Sequence, residues 1–492
     1  MKSIELDAGH KKRWQDCLLL PIVVVTESEL AQRSRMPPRT ESSSACVKPQ
    51  GENEPESSSQ PVSTSPSSET QEPTGDLRRS VLAVLDQAVV SATNLATIVL
   101  LGRLCPPRVV GAYYLTISLL LLSRCFQEAL IFAPFTVYSQ RQQEHELAAY
   151  TGSTLVHQLG LSLMTIAAVA GFPELVRLLG GSVELRSALV GVAIAIPFIQ
   201  LREWVRYIAL SRLWALQTLI VDSIVAVVQC AGLLLLVWGD QLTVSSVYIV
   251  IAVATAIAIA AWMAWGGLQI RLAPERFLSD WLLNWRFSRW VLAGRLAGSA
   301  TPYALPWLLA SWHGTAATGV LAVCGSIVGL SNTFVVGLSN IFCPRAARAF
   351  AHGGTQSLRR ILRNNSLVFA IPLGGFCILV ALLGEPIMDL IYGPRYGDQN
   401  LLLALLAASV LINGIGMVIG HGIWAIDRPA ANLWADLGSL VATMAAALAL
   451  IPTLAAAGVA IAGCIGVLVG TLIRAFTLQR LMHHVPDHQQ AS

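Results

Sequence analysis

The chain has 492 residues, of which 54% are hydrophobic and 13% are charged, and its formal net charge is +4. Soluble domains carry about 25% charged residues, so this composition excludes the ordinary soluble enzymes and binding domains. The sequence holds no GxxxxGK[ST] phosphate loop, which argues against ATP hydrolysis by this chain. The nine cysteines show no close metal-ligand spacing, and we expect no metal, no cofactor and no nucleic-acid partner.

Residues 1–77 are rich in Ser, Pro and Glu. Such a segment cannot bury enough apolar surface to fold, so it is predicted to be a disordered cytoplasmic tail. Its one apolar run, "CLLLPIVVV" at 17–25, is short, is interrupted by Pro21 and precedes no small-residue cleavage site. The run is therefore interpreted as neither a signal peptide nor a span.

From about residue 80 onward the chain alternates apolar segments with short polar connections. A helix needs about 20 mostly apolar residues to cross a bilayer. Twelve segments meet this description. The predicted spans are 81–101, 112–133, 151–171, 185–201, 214–238, 244–266, 291–312, 316–338, 366–384, 400–424, 432–452 and 455–476.

The arginines are unevenly divided between the two sides of the predicted bundle. Most lie in connections on the side of the N-terminus, including Arg202 and Arg206 after the fourth span. Cytoplasmic loops retain positive charge during insertion, so this pattern predicts both termini in the cytoplasm. The arginines assigned to the outer side are Arg103, Arg108, Arg177, Arg186 and Arg395.

The longest inner connection, "RLAPERFLSDWLLNWRFSRW" at 271–290, places Phe277, Trp281 and Trp285 on one helical face. Aromatic residues beside arginines predict an amphipathic helix at the membrane interface, with a soluble linker as the alternative. This helix separates two predicted six-helix lobes, 78–270 and 291–480, and residues 481–492 are predicted to form a short cytoplasmic tail.

An internal repeat supports this division. The stretch "GAYYLTISLLLLSRCFQEALIFAP" from Gly111 aligns with "GVLAVCGSIVGLSNTFVVGLSNIFCP" from Gly319, and Ser123 aligns with Ser331. Two copies with an even number of spans lie parallel in a membrane. The predicted fold is an all-α polytopic membrane protein with about 12 transmembrane helices in two parallel-repeat six-helix lobes around a central cavity.

Polar side chains interrupt the first two spans of each predicted lobe, although a charge at a span centre costs about 2.5–3.5 kcal/mol. Because the repeat makes these spans equivalent, we expect them to line one central cleft. Arginines in such a cleft suit an anionic ligand, since each offers a permanent charge and a planar fork of donors. The candidates are Arg124 and Arg295 for an anionic head group, Gln87, Asn94, Gln127 and Asn332 for hydrogen bonds to it, and Asp86 and Glu128 for ion coupling or gating.

Simpler interpretations of these residues stay open. Arg124 and Glu128 are four residues apart on one helix and could neutralise each other. Asp86 and Arg295 are near the inner ends of their spans, where a charge can reach the head groups. The glycines of the eighth span could serve close helix packing alone.

The stretches "LDQAVVSATNLATIVLLGRL", "VVGAYYLTISLLLL" and "LIYGPRYGDQNLLLALLAASVLINGIG" resemble the polysaccharide-biosynthesis, or O-antigen type, lipid-linked oligosaccharide flippases. These belong to the multidrug/oligosaccharidyl-lipid/polysaccharide exporter superfamily. The resemblance covers about residues 78–480. It implies a two-lobed bundle that moves a polyprenyl-pyrophosphate-linked saccharide between leaflets by alternating access, with arginines holding the pyrophosphate.

On this basis we predict a multi-pass flippase in a bacterial inner membrane, acting in lipopolysaccharide or other polysaccharide biosynthesis and lacking enzymatic activity. Its expected partners are the lipid-linked saccharide, membrane lipids and polysaccharide polymerase or export proteins. The alternatives are a cation-coupled drug or small-molecule exporter of the same superfamily and a non-transporting component of a glycan-assembly complex.

Overall fold

The computed structural model describes residues 73–484 except 179, 213, 266–269 and 398. Most of the predicted N-terminal tail and residues 485–492 lie outside the described part. Within that part every regular element is a helix and no strand is present. The prediction of an all-α fold is confirmed.

The α-helices are numbered in chain order, and nine helices of the described residues are long and apolar enough to cross a membrane. The chain is therefore a multi-pass membrane protein, as its low charge predicts. The helices are α1 Pro73–Leu104, α2 Pro107–Gln127, α3 Ala133–Tyr138, α4 Glu144–Ala170, α5 Phe172–Leu178, α6 Val183–Ser211, α7 Ala215–Trp238, α8 Val244–Ala264, α9 Pro274–Tyr392, α10 Asn400–Ala425 and α11 Pro429–His484.

The two longest helices are interrupted by residues with positive φ. Helix α9 contains Gly314 at φ 75° and Gly354 at φ 56°, and α11 contains Ala455 at φ 48°. Glycine adopts such backbone without a steric penalty, so the first two breaks fit their sequence. The breaks divide α9 into three stretches and α11 into two. Twelve separate spans remain a prediction.

Ala455 carries a Cβ at a backbone conformation that favours glycine, with φ 48° and ψ −125°. Replacing Ala455 with glycine is therefore expected to stabilise the protein by about 1 kcal/mol. The midpoint of thermal unfolding in detergent measures the effect. Ala457, in the helical stretch that follows, is the matched control, and its replacement with glycine should lower the midpoint. Equal midpoints for the two variants would contradict the assigned strain.

The second span contains one turn of π-helix, Glu128–Phe132, between α2 and α3. Its cause is in the sequence, because Pro134 lacks an N–H and its ring crowds the carbonyl four residues earlier. The N–H of Ala133 bonds to the carbonyl of Glu128, five residues back. Single π-helical turns of this kind are frequent at functional sites. Glu128 thus begins the irregular turn of its span.

Among the residues that the structure describes, buried apolar side chains form three clusters. Two of the clusters each lie within one half of the chain. The first is formed by residues in 130–150, 204–225 and 254–262. The second is formed by residues in 335–373 and 418–426 and by Leu478. A third is shared, and takes residues from 101–115, 185–196 and 244–252 and from 305–328, 380–407 and 447–462. The halves therefore pack together at one end of the bundle, named here the joined end. The division into two six-helix lobes stays a prediction.

Two glycines allow a close backbone contact at the joined end. A Cβ on Gly111 would lie 1.7 Å from the carbonyl oxygen of Thr315, and a Cβ on Gly319 would lie 2.0 Å from that of Pro107. The contacts are reciprocal, since each joins one copy of the predicted repeat to the other. Only residues without a side chain allow this approach.

The joined end is reinforced by the segment after α9. The Tyr392 ring packs on Gly102, where a Cβ would lie 2.5 Å from its Cδ1. Arg395 donates to the carbonyl of Cys105 at 3.3 Å, and Arg103 donates to that of Leu390 at the same distance. The segment "LIYGPRY", which is part of one of the stretches that resemble the flippase family, thus contacts the end of α1.

The first stretch of α9 includes the predicted interfacial helix. Its face toward α4 is polar, because Asp280, Asn284 and Ser288 are buried there. Asn284 accepts a hydrogen bond from the Tyr150 hydroxyl at 2.8 Å. The predicted aromatic face is divided: Phe277 and Trp281 are half-buried, whereas Trp285 is exposed. We name Asp280, Asn284 and Ser288 the polar seam, which attaches this helix to the first half of the chain.

Candidate functional site

Glu128 lies between two arginines that come from the two halves of the chain. Its Oε1 accepts hydrogen bonds from Arg124 Nε at 3.1 Å and from the Tyr207 hydroxyl at 3.2 Å. Its Oε2 lies 3.4 Å from Arg295 Nη1. The side chains of Arg124 and Arg295 are 39% and 37% exposed. One carboxylate therefore links two accessible guanidinium groups across the halves.

Arg124 also contacts a second carboxylate, on α6. Its Nη2 lies 3.3 Å from Glu203 Oε2. The same Oε2 lies 3.5 Å from Arg206 Nη1, and Oε1 lies 3.6 Å from Arg202 Nη1. Glu203 is 5% exposed, so its charge depends on these three arginines for compensation.

The two α6 arginines are neutralised in turn by α1 and α7. Asp222 Oδ1 lies 2.5 Å from Arg202 Nη2, and its Oδ2 lies 2.7 Å from Arg206 Nε. Asp86 accepts a hydrogen bond from Arg206 Nη2 at 2.7 Å. These contacts form one ion network of four arginines and four carboxylates with a formal charge of zero. Its members are Asp86, Arg124, Glu128, Arg202, Glu203, Arg206, Asp222 and Arg295.

The predicted end of the fourth span, at residue 201 and just before Arg202 and Arg206, is wrong. Both were assigned to a cytoplasmic connection after a span ending at residue 201, but α6 continues to Ser211, and within it Arg206 is buried and Arg202 is half-buried. The helix continues because each guanidinium meets a carboxylate within its own bundle. Sequence reasoning also missed Glu203 and regarded Asp222 as structural. The signal was the spacing of Arg202 and Arg206, four residues apart on one helical face.

The structure divides the remaining predicted site residues. Gln87, Asn94 and Asn332 are exposed, and Gln87 donates to Ser91 at 3.3 Å. Because these three side chains are exposed, they can contact a ligand. None of them belongs to the ion network.

Gln127 is placed differently from its prediction. It is fully buried and donates to the Gln158 side chain and the Gln200 carbonyl, both at 2.7 Å. It points away from Glu128 because adjacent helical residues differ by about 100° in direction. Gln127 therefore belongs to a buried glutamine cluster of the first half and has no open path to a ligand.

Helix α2 and the first stretch of α9 run side by side from the joined end to Glu128. The Trp307 indole donates to Ser118 at 2.7 Å, and the Cys125 thiol lies 3.8 Å from the Tyr303 hydroxyl. With increasing distance from the contact of Gly111 with Thr315, residue numbers rise along α2 and fall along α9, so the two helices are antiparallel. Arg124, Glu128 and Arg295 come at the end of this series, where the common core of the two halves has ended.

Two solved structures share this architecture. A multidrug resistance transporter of the MATE family in the MOP superfamily, in an inward-facing conformation, matches with a TM-score of 0.68 and 13% identity, covering 82% of this chain and 100% of its own. The chain has the fold of these transporters. The lipid II flippase MurJ, in an inward closed conformation, matches with a TM-score of 0.66 and 16% identity over 81% of this chain and 87% of its own.

Sequence comparison gives a shorter match. The capsular polysaccharide biosynthesis protein CapF of Staphylococcus aureus is 24% identical over 156 residues, which is 31% of this chain and 39% of that protein. The chain thus matches well under half the length of this relative. No protein-family model matches the chain.

Proposed function

We propose that this protein flips a polyprenyl-pyrophosphate-linked saccharide across a bacterial inner membrane. The observation that carries the proposal is the position of the Glu128 carboxylate, bound by Arg124 from one half and by Arg295 from the other. In this arrangement the protein's own anion occupies the place where two guanidinium forks converge.

A pyrophosphate is a suitable replacement for that carboxylate. Arginine binds phosphate through paired, charge-assisted hydrogen bonds, and a pyrophosphate offers more oxygens and more charge than a carboxylate. Displacement of Glu128 would leave Arg124 and Arg295 on one ligand. The exposed Gln87, Asn94 and Asn332 are proposed to hydrogen-bond the head group.

The saccharide and the lipid are proposed from the relatives. One structural neighbour is described as a lipid II flippase, and the sequence relative is described as a capsular polysaccharide biosynthesis protein. The first description names a lipid that is flipped, and the second names the biosynthesis of a polysaccharide. We extend them to this chain because its accessible charged site carries two arginines, and because the expected ligand has an anionic head and an apolar tail.

Alternating access follows from the unequal ends of the bundle. The halves share one buried core at the joined end and keep separate cores beyond it. By the distribution of arginines the joined end faces outward, and both termini are cytoplasmic. The described conformation is then inward-facing, and export requires the joined end to open while the opposite end closes.

A cation-coupled exporter of small molecules is the second candidate. It is favoured by the buried carboxylates Asp86, Glu203 and Asp222, since carboxylates inside a membrane can exchange protons or cations. A MATE family transporter is among the structural neighbours. In this reading the ligand would be a cation, and Glu128 would contact it directly.

Reconstitution distinguishes the two functions. The protein is placed in liposomes with a labelled polyprenyl-pyrophosphate saccharide, and the label in each leaflet is followed under imposed ion gradients and potentials. Protein-dependent movement of the label is expected. Liposomes that instead accumulate a cationic dye against a proton or sodium gradient, with no movement of the saccharide, would favour the exporter. Absence of both activities would favour a non-transporting component.

A further inference from the structure

Arg124 contacts two carboxylates that differ in how firmly they are held. Glu203 is 5% exposed and lies near three arginines. Glu128 has a side chain that is 15% exposed and lies on the π-helical turn. The first carboxylate is fixed by the interior of one half, whereas the second lies where the two halves meet.

Glu203 cannot leave its place without separating buried charges. Arg202 and Arg206 come from its own helix, and each also contacts Asp222 on α7. Removing the Glu203 carboxylate would leave the ion network with four arginines and three carboxylates, and Arg202 and Arg206 with Asp86 and Asp222 alone. Uncompensated buried charge is strongly unfavourable, so the Glu203 contact persists while other partners of Arg124 change.

Glu128 can leave at a lower cost. Its partner Arg295 belongs to the other half of the chain, and its remaining contacts are Arg124 and the Tyr207 hydroxyl. An anion that enters between Arg124 and Arg295 can replace the carboxylate at both guanidinium groups. Arg124 would then keep one carboxylate and exchange the other.

We infer that Glu203 is the positioning residue for Arg124, which it holds in the orientation that receives the anionic head group when Glu128 is displaced. This inference rests on the proposed function, because it assigns Glu203 a task in the same ligand site. An arginine side chain loses substantial rotamer freedom when it is ordered. A guanidinium already held by Glu203 does not lose that freedom again on ligand binding.

The inference predicts opposite effects of the same substitution at the two carboxylates. Removing a negative charge near an anion site should by itself strengthen anion binding at either position. Glu128→Gln removes a charge and also the competing ligand, so binding should become about tenfold tighter. Glu203→Gln removes a charge but releases Arg124, and binding should become about tenfold weaker. Weaker binding with less negative charge is not explained by electrostatics alone.

The experiment measures the affinity for inorganic pyrophosphate by calorimetric titration of the full chain in nanodiscs. The variants are Glu128→Gln, Glu203→Gln, Arg124→Gln, Arg295→Gln and the double variant Glu203→Gln with Arg124→Gln. Once Arg124 is absent, Glu203→Gln should cause no further loss. Glu174→Gln is the matched control, because Glu174 is exposed and pairs with Arg177 on the short helix α5. Its affinity should equal that of the unmodified protein.

If Glu203→Gln does not fold, Glu203→Asp tests whether Glu203 positions Arg124. It keeps the charge and shortens the side chain by one methylene, so the expected affinity is a few-fold weaker. Glu203 variants that bind pyrophosphate as tightly as the unmodified protein, or more tightly, while Arg124→Gln weakens binding, would overturn the positioning role alone. Unchanged binding in both Arg124→Gln and Arg295→Gln would overturn the proposed head-group site itself.

Discussion

Replacing Arg295 with alanine is expected to lower the initial rate of saccharide movement in liposomes at least tenfold. Arg295 is the guanidinium that the second half of the chain brings to Glu128, at 3.4 Å. A hydrogen bond to a charged group contributes about 1.5–3 kcal/mol, which corresponds to about tenfold or more. Arg124→Ala should lower the rate by at least the same factor. Besides removing a guanidinium from the ligand site, it leaves the buried Glu203 carboxylate with one arginine fewer.

The controls for this prediction use charge and position. Arg295→Lys keeps the charge but removes the planar fork, so its rate should lie between those of Arg295→Ala and the unmodified protein. Arg177→Ala removes an exposed arginine that pairs with Glu174, and transport should be unchanged. If well-folded Arg124→Ala and Arg295→Ala proteins both move the saccharide at the normal rate, neither residue holds the head group.

Replacing Gly111 with alanine is expected to open the joined end. The new Cβ would lie 1.7 Å from the Thr315 carbonyl oxygen, which belongs to backbone and cannot rotate away. Overpacking of this kind destabilises by about 1–3 kcal/mol, and here only the conformation with a closed joined end is penalised. The population should shift toward a state in which the joined end is open. Cys324 reports this shift, because it is fully buried in the shared cluster.

The measurement is maleimide labelling of a protein that keeps Cys324 as its only cysteine. Gly111→Ala should label about tenfold faster than its parent, which corresponds to 1.4 kcal/mol. Gly319→Ala should behave alike, since its Cβ would meet the Pro107 carbonyl. Gly329→Ala is the control, because nothing lies within 4 Å of its added Cβ. Equal labelling in the Gly111 and Gly329 variants would show that the glycine contact does not hold this end closed.

The fold was predictable because its main determinants are local. Low charge and long apolar segments indicate membrane helices, and the structure bears this out. The alignment of Gly111 with Gly319 could be read from sequence, but the contact between their helices could not, since no local pattern specifies which backbones approach. The two helix breaks also differ in how far the sequence predicts them. A glycine such as Gly314 indicates a possible break, whereas an alanine with positive φ, such as Ala455, gives no signal in the sequence.

The site was predictable only in part, because charge pairing is a tertiary property. Arg124 and Glu128 stand out as charges within a span, and Arg295 near the inner end of another. Arg202 and Arg206 looked like the charged end of a span, since their carboxylate partners Asp86 and Asp222 lie 120 and 20 residues away. Gln127 shows the reverse error, because a polar residue near a charged one can face a different neighbour.

The polar seam also determines where the chain can bend. Asp280, Asn284 and Ser288 hold the start of α9 to the first half of the chain, so this part moves with that half. Further along α9, Gly294 and Gly298 have open space around them. A hinge in this stretch would swing Arg295, which lies between the two glycines, toward or away from Glu128. The motion that rearranges the halves would then also change the separation of Arg295 from Arg124, and with it the binding of the ligand.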